Sequence, residues 1–257
     1  MKNSPVKKQR NSVKCGDIFR IGDHLLGCGD ARDAAFVKKL IGTEKIKLLL
    51  VDPPYGCRVV EGKEGFAKLR VNKRILNDDI VSESEYAAFK KNWLDPLVPH
   101  LALKNSAYIF GSDVMALALR QGIQESGLRF GQMLVWIKNH PVIGRKDFLP
   151  MHEIVMFGWK GTHEFKRPKD RSVIYCPKPN RSPLHPTQKP VALLRQFIFN
   201  SSSIGDIVWD SFAGSGSTGI AAEQTKRRSI LIERDEDYCK TIIDRFDRVF
   251  DLTAERV

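Results

Sequence analysis

Short apolar runs alternate with helical patterns along most of the 257-residue chain. The dense runs are His24 to Cys28, Ile46 to Val51, Ser106 to Phe110, Gln132 to Lys138, Glu153 to Trp159, Asp206 to Trp209 and Ser229 to Ile232. Each has strand length. Between them, apolar residues recur at helical spacing: Phe36, Val37, Leu40 and Ile41 behind Asp33; Tyr86, Phe89, Trp93 and Leu94 behind the capping pair Ser82 and Glu85; Leu193, Leu194, Phe197 and Ile198 behind Pro190; and Tyr238, Ile242, Phe246 and Val249 behind Asp235. Asp and Ser suit the N-cap because the side-chain oxygen accepts from the free N–H groups of the first turn. Asp113 is read as the cap of one more helix, ending near Gly127. Such alternation predicts an α/β fold, a largely parallel sheet flanked by helices. The link from residue 139 to 152 holds Pro141, Gly144 and Pro150, so its two strands are expected to pair antiparallel.

Two stretches break the rhythm. Residues 1–14 are polar and basic and are expected to be a flexible tail. Residues 160–188 carry five prolines and no period, and read as an irregular excursion. The rest, 15–257, reads as one domain with a basic loop at 56–80. No apolar run approaches the roughly 18 residues of a membrane span. No apolar segment follows the basic N-terminus, so no signal peptide is expected.

Charge narrows the partners. The formal net charge is +12. Arg58, Lys63, Lys68, Arg70, Lys73 and Arg74 face only two acids in residues 56–74, and seven basic residues, among them Lys166, Arg167, Lys169 and Arg171, face two acids in 160–181. These segments supply nine of the twelve excess charges, which points to phosphate contacts on loops and a nucleic-acid partner. A basic surface kept for solubility is the alternative. The five cysteines form no C-x-x-C pair and have no histidine cluster, so neither zinc nor a disulfide framework is indicated and a reducing cytoplasm fits.

Chemistry concentrates in four segments. Asp52-Pro53-Pro54-Tyr55 closes the apolar run Ile46 to Val51. An exocyclic base amine is a poor nucleophile because its lone pair is delocalised into the ring. A carboxylate and a backbone carbonyl, Asp52 and Pro53, can accept its two hydrogens and stabilise the charge developing on nitrogen. Proline presents a carbonyl in a preset turn without a competing donor. Tyr55 can stack on an extruded base. A strand ending in an Asx turn would also account for the tetrapeptide. The second segment, Asp210 to Gly219, contains G-x-G-x-x-G between a strand and a helix, with Glu233 ending the next strand to hold ribose hydroxyls. Alone it fits a nicotinamide oxidoreductase equally well. Gly29-Asp30 offers a carboxylate for an adenine amine, or a plain turn. His185-Pro186-Thr187-Gln188-Lys189-Pro190 reads as a helix-entry loop in which Lys189 can meet a carboxylate.

Taken together, these segments resemble the β group of DNA amino-methyltransferases, in which D-P-P-Y precedes F-x-G-x-G and H-P-T-Q-K-P lies shortly before the latter. The resemblance runs from about Gly22 to Phe250 and includes Trp136-Ile137-Lys138 and His152-Glu153. It implies a class I S-adenosylmethionine-dependent methyltransferase fold with circularly permuted motif order. The mixed sheet would have seven strands, the last antiparallel. Asp210, Phe212, Gly214 and Gly216 would hold the methionine part of the cofactor, Glu233 its ribose and Asp30 its adenine, with His185 and Lys189 also on the cofactor side. Asp52, Pro53, Pro54 and Tyr55 would form the target-base pocket. Asp at the first motif position favours adenine N6 over cytosine N4, where Ser is commoner. The chain has Ser211 where Pro is usual and Ser217 where Thr is common, changes that leave the backbone contacts in place. A short target-recognition insertion would fall at 160–184. No metal is implied. DNA is the implied substrate, a homodimer and a cognate restriction endonuclease are the implied partners, and a bacterial or phage-encoded cytoplasmic enzyme is the implied setting. A catalytically silent DNA-binding protein is the remaining alternative.

Overall fold

The computed structural model describes residues 12–56, 82–141, 147–167, 169–178 and 188–257. In chain order the strands are β1 (Ile18–Ile21), β2 (His24–Cys28), β3 (Ile46–Val51), β4 (Leu101–Gly111), β5 (Arg129–Ile137), β6 (His152–Trp159), β7 (Val173–Tyr175), β8 (Ile207–Asp210), β9 (Arg228–Glu233) and β10 (Ala254–Arg256). The helices are α1 (Ala34–Ile41), α2 (Glu83–Leu94), α3 (Ala116–Glu125), α4 (Val191–Ser201), α5 (Ser217–Gln224) and α6 (Glu236–Phe250). All ten strands join one mixed sheet in the order β10-β1-β2-β9-β8-β3-β4-β6-β5-β7.

β2, β9, β8, β3 and β4 run parallel, and β6 inserts antiparallel between β4 and β5. The run β2 to β5 is therefore a seven-stranded mixed sheet as expected, but its one reversed strand, β6, lies inside the run rather than last in it. Three short edge strands extend it to ten. β1 and β10 continue it antiparallel beyond β2, and β7 adds parallel to β5. These edge strands have three or four residues each, too few to show a period in the sequence.

The central strands read as unbroken apolar runs because helices cover both faces. Leu49 and Val51 of β3, with Ala107 and Ile109 of β4, face α1, α2 and α3 through Val37, Leu40, Tyr86, Trp93 and Leu119. Leu48, Leu50, Tyr108 and Phe110 point the other way, onto Leu193, Leu194 and Phe197 of α4. Beyond them, Leu26 and Leu231 meet Ile242 and Phe246 of α6. The period of two along each strand thus divides the core into two layers.

Most helix starts are those the caps predict. Asp33 accepts from the amides of Ala35 and Phe36, Ser82 and Glu85 close a full capping box, and Asp235 accepts from Asp237 and Tyr238. Asp113 differs: it accepts from Val114 in a preceding turn, and α3 starts at Ala116 behind Met115 with no side-chain cap. Val249 also differs, being exposed on the outer face of α6. The tail boundary moves as well. Val13 is buried with Phe19 and Leu26, and Arg256 donates to the Ser12 carbonyl, so residues 12–14 pack on the domain. The excursion at 160–188 is partly tied to the sheet, through β7 and through Thr162, which bridges to Lys104. No helix among the described residues is long and apolar enough to cross a membrane.

Candidate active site

The chain leaves β3 in one direction, toward β4, and later enters the sheet on the other side of β3 through β8 and β9. Such a switch point opens a crevice at the carboxyl ends of the parallel strands. Four carboxylates stand there on four adjacent strands: Asp30 just after β2, Glu233 ending β9, Asp210 ending β8 and Asp52 just after β3. Scattered over 200 positions of sequence, they become one row.

The Asp52 end is a buried ionic network. Lys189, at the mouth of α4, places its ammonium 2.5 Å from Asp52 Oδ2 and 3.1 Å from Glu153 Oε2. Lys138, just past β5, lies 2.8 Å from Glu153 Oε1. The Tyr55 hydroxyl lies 2.9 Å from Asp52 Oδ1 and 2.7 Å from Glu153 Oε2. Lys90 reaches out of α2 to donate to the Pro54 carbonyl at 3.0 Å, fixing the turn that carries the two prolines. Asp52 keeps 23% of its side chain exposed, against 5% for Lys189 and 13% for Glu153, so of these three ionic groups it is the most open to a substrate.

Electrostatics separate the two carboxylates. Burial works against the charge of Glu153, but Lys189 and Lys138 together outweigh it and hold its pKa down at about 2. Burial raises Asp52 above the usual carboxylate range, with Lys189 opposing the rise and Glu153 adding to it. Burial also works against the Lys189 ammonium, but Asp52 and Glu153 reverse the effect and raise its pKa. Tyr55 is pushed well above its ordinary value by burial and by the two carboxylates, so it stays a neutral phenol.

The other end of the row surrounds the glycine turn. Asp210 accepts from the Thr218 hydroxyl at 2.6 Å and from the Phe212 amide at 3.0 Å. Glu233 accepts from the amides of Gly214 at 2.8 Å and Asp235 at 2.9 Å. Burial pushes both carboxyls up to about 7. Gly214 and Gly216 have φ of 53° and 78°, the left-handed region that glycine alone enters without strain. A Cβ at Gly219 would come within 2.9 Å of both Phe246 and Leu231, so this glycine lets α5 lie close on the sheet. Phe212 packs its ring on Phe89 and Trp93 of α2, linking the turn to the helix that also holds Pro54. Arg245 of α6 ties the turn from below, donating to the Ser215 carbonyl at 2.9 Å and to the Ser217 hydroxyl at 3.1 Å. Asp30 is gripped by Arg32, with Nη2 at 2.6 Å, and this pairing lowers its pKa despite partial burial.

The structure thus brings Asp30, Asp52, Pro53, Pro54, Tyr55, Lys189, Asp210, Phe212, Gly214, Gly216 and Glu233 to one edge of the sheet. Lys189 stands with Asp52 and Glu153 rather than on the glycine turn. His185 and the basic residues Arg58, Lys63, Lys68, Arg70, Lys73 and Arg74 lie outside the described residues. Lys166 and Arg167 are not brought to this edge, and Arg171 leads into β7 on the outer side of β5. Lys166 donates its amide to Asn200 and pairs with Glu164, Arg167 stacks on Phe199, and Asp170 binds Asn200, all at the far end of α4. Ten residues of helix separate Asn200 from Pro190, about 15 Å. Glu153 and Lys138 carry no role in the sequence reading although both lie in segments that the resemblance includes. Lys138 directly follows β5 and Glu153 is the second residue of β6, so each stands as a charge at the border of an apolar run.

A class I methyltransferase architecture with acid-tipped strands around a glycine turn is the class that fold and site define. The chain belongs to the DNA methylase family, whose model matches residues 46–244. The oxidoreductase alternative falls with that membership. Among curated relatives, the Type II methyltransferase M.HpaI of Haemophilus parainfluenzae is 27% identical over 255 residues, covering 89% of this chain and 76% of the relative. The Type II methyltransferase M.HinfI of Haemophilus influenzae is 28% identical over 229 residues, covering 78% of this chain and 62% of the relative, so the chain spans less than two thirds of M.HinfI. Solved structures share the fold. M1.HpyAVI in complex with S-adenosylmethionine superposes with TM-score 0.63 at 23% identity, covering 86% of this chain and 98% of that one. The cytosine-N4-specific PvuII DNA methyltransferase superposes with TM-score 0.64 at 16% identity, covering 88% and 92%.

Proposed function

We propose that this chain transfers a methyl group from S-adenosylmethionine to the N6 amine of adenine in DNA. The observation that carries the reading is the carboxylate of Asp52, less buried than its ionic partners Lys189 and Glu153 and set at the switch point where β3 lies beside β8. Family membership and the S-adenosylmethionine complex of M1.HpyAVI support the cofactor.

The residues present fit that cofactor. Two buried carboxylates with raised pKa, Asp210 and Glu233, suit an ammonium and a ribose diol respectively. The left-handed glycines 214 and 216 leave the backbone bare for close approach. Asp30 stands next in the row for the adenine amine. When bound, the cofactor supplies an electrophilic methyl group. The chain does the rest. Asp52 and the Pro53 carbonyl accept the target amine's hydrogens and draw its lone pair out of conjugation. Tyr55 offers its ring to the base, which must leave the duplex to reach this depth. The amine attacks directly, without a covalent enzyme intermediate.

Asp rather than Ser at position 52 supports adenine over cytosine. Similarity to two Type II methyltransferases supports a cognate restriction endonuclease and a bacterial or phage cytoplasmic setting. The basic segment 56–74 is proposed to grip phosphates, and residues 160–184 to contribute to site recognition. The test is methyl transfer from labelled S-adenosylmethionine to unmethylated DNA, with product nucleosides identified by mass spectrometry and Asp52→Ala as control. N6-methyladenine made by the wild type alone is expected. N4-methylcytosine would overturn the base assignment, and no transfer despite cofactor binding would overturn the DNA substrate.

A further inference from the structure

The contact between Tyr55 and two carboxylates holds more information than a pair of hydrogen bonds. A phenol has one hydrogen, yet its oxygen lies within bonding distance of both Asp52 Oδ1 and Glu153 Oε2. It can donate to only one of them. An ionised oxygen 2.9 Å from a phenol oxygen with no hydrogen between them is repelled, whereas a protonated one becomes a donor and is attracted. Which way the hydrogen points therefore decides whether Tyr55 stabilises Asp52 charged or protonated.

The surroundings point it to Glu153. That separation is the shorter of the two, 2.7 against 2.9 Å. Glu153 is flanked by two ammoniums, Lys138 and Lys189, and stays ionised as a permanent acceptor. Among the described residues, Asp52 has one ammonium, Lys189 on Oδ2, and faces further negative charge from Asp210 on β8 and from Glu153 on β6. From α2, Lys90 is committed to the Pro54 carbonyl. Of the two carboxylates, Asp52 is the one that gains from a proton.

Resting on the methyltransferase reading above, we propose that Glu153 is a positioning residue which holds the Tyr55 hydroxyl hydrogen, leaving Asp52 Oδ1 opposite a bare phenol oxygen and thereby making Asp52 the general base of the reaction. In the transfer, the amine's lone pair forms the N–C bond while the C–S bond breaks and its electron pair stays on sulfur. The amine then gives one N–H proton to Asp52 Oδ1. The new Oδ1–H turns to donate to the Tyr55 oxygen, whose own hydrogen remains on Glu153. One proton has moved, from nitrogen to Asp52, and Lys189 keeps the network's charge in balance before and after. Asp52 returns to the carboxylate when it loses that proton to solvent through its exposed quarter.

The sign of one shift tests this. Tyr55→Phe keeps the ring and removes the hydroxyl. If Tyr55 accepts from protonated Asp52, the variant loses that support and Asp52 titrates about 1 pH unit lower. If Tyr55 donates to ionised Asp52, the variant titrates higher. The reading is 13C NMR of protein labelled at the aspartate carboxyl carbon, with the Asp52 signal assigned by its loss in Asp52→Asn. It needs neither DNA nor cofactor, so it decides the hydrogen's direction even if the wild type methylates no DNA, a result that would count against the proposed activity alone. Glu153→Gln is the second variant: a Tyr55 hydrogen released to Asp52 lowers its titration as well, and the acid limb of kcat against pH moves down with it while KM for DNA stays within about twofold. A higher or unchanged Asp52 titration in Tyr55→Phe overturns the proposal, as does a kcat–pH profile that Glu153→Gln leaves in place.

Discussion

Replacing Lys189 with Met tests the ionic network where it is most exposed to failure. Lys189 is 5% exposed and, among the described residues, is the one cation that touches both Asp52 and Glu153. Met fills most of the same volume, so packing changes little and charge changes completely. Removing one partner of a buried pair leaves an uncompensated charge and costs about 3–5 kcal/mol. In a chain of this size each kcal/mol is worth roughly 2–4 °C, so the melting temperature should fall by roughly 6–20 °C. The loss also acquires a pH dependence. Without Lys189, burial and the Asp52–Glu153 repulsion act unopposed on Asp52, raising its folded pKa further above the unfolded value. A carboxyl raised in this way is tolerated while protonated and destabilises the fold as pH rises through its folded pKa. Urea denaturation followed by circular dichroism at several pH values from 5.5 to 8.5 should therefore show the gap between wild type and Lys189→Met widening toward high pH. A gap below about 1 kcal/mol, or one independent of pH, would refute the claim that Lys189 neutralises two buried carboxylates.

Three further expectations follow from other parts of the row and its supports. Asp210 and Glu233, both pushed up to about 7 by burial, must be ionised to receive an ammonium and a diol, so S-adenosylmethionine binding measured by calorimetry should weaken as pH falls through 7; a constant affinity from pH 6 to 8 would contradict it. Gly216→Ala puts a Cβ 3.0 Å from Ile242 at φ 78°, and should cost about 1–2 kcal/mol in denaturant unfolding while weakening cofactor binding. Buried His24 bonds Ser229 Oγ at 2.7 Å and Glu223 at 2.8 Å, with its pKa lowered by burial. A histidine lowered on folding contributes stability above its unfolded pKa near 6.5 that is lost as pH falls below it, so His24→Gln should flatten the acid side of the stability–pH curve.

How much of this was legible in the sequence depends on whether a feature is local. Strands such as His24–Cys28 and Ile46–Val51 could be read to the residue because burial on both faces leaves a dense apolar run. The caps at Asp33, Ser82 and Asp235 were legible because a cap bonds within three residues of itself. The acids and glycines of the site were legible for the same reason, each being the punctuation after a strand. Glu153 was not. Nothing within ten residues says that it will face Tyr55, 98 positions away, or share Lys189 with Asp52. Two of the basic residues differ in the opposite sense. Lys166 and Arg167 look equivalent in sequence to a charged rim, yet the bridge of Thr162 to Lys104 and the Lys47–Glu164 pair hold their segment at the amino ends of β3 and β4. β3 itself separates Lys47 from Asp52, about 16 Å of strand. A count of charges along a chain measures how much attraction is available and carries no information on which end of a sheet will display it. Topology supplies that, and here it sets the four-carboxylate row at one end and this basic cluster at the other.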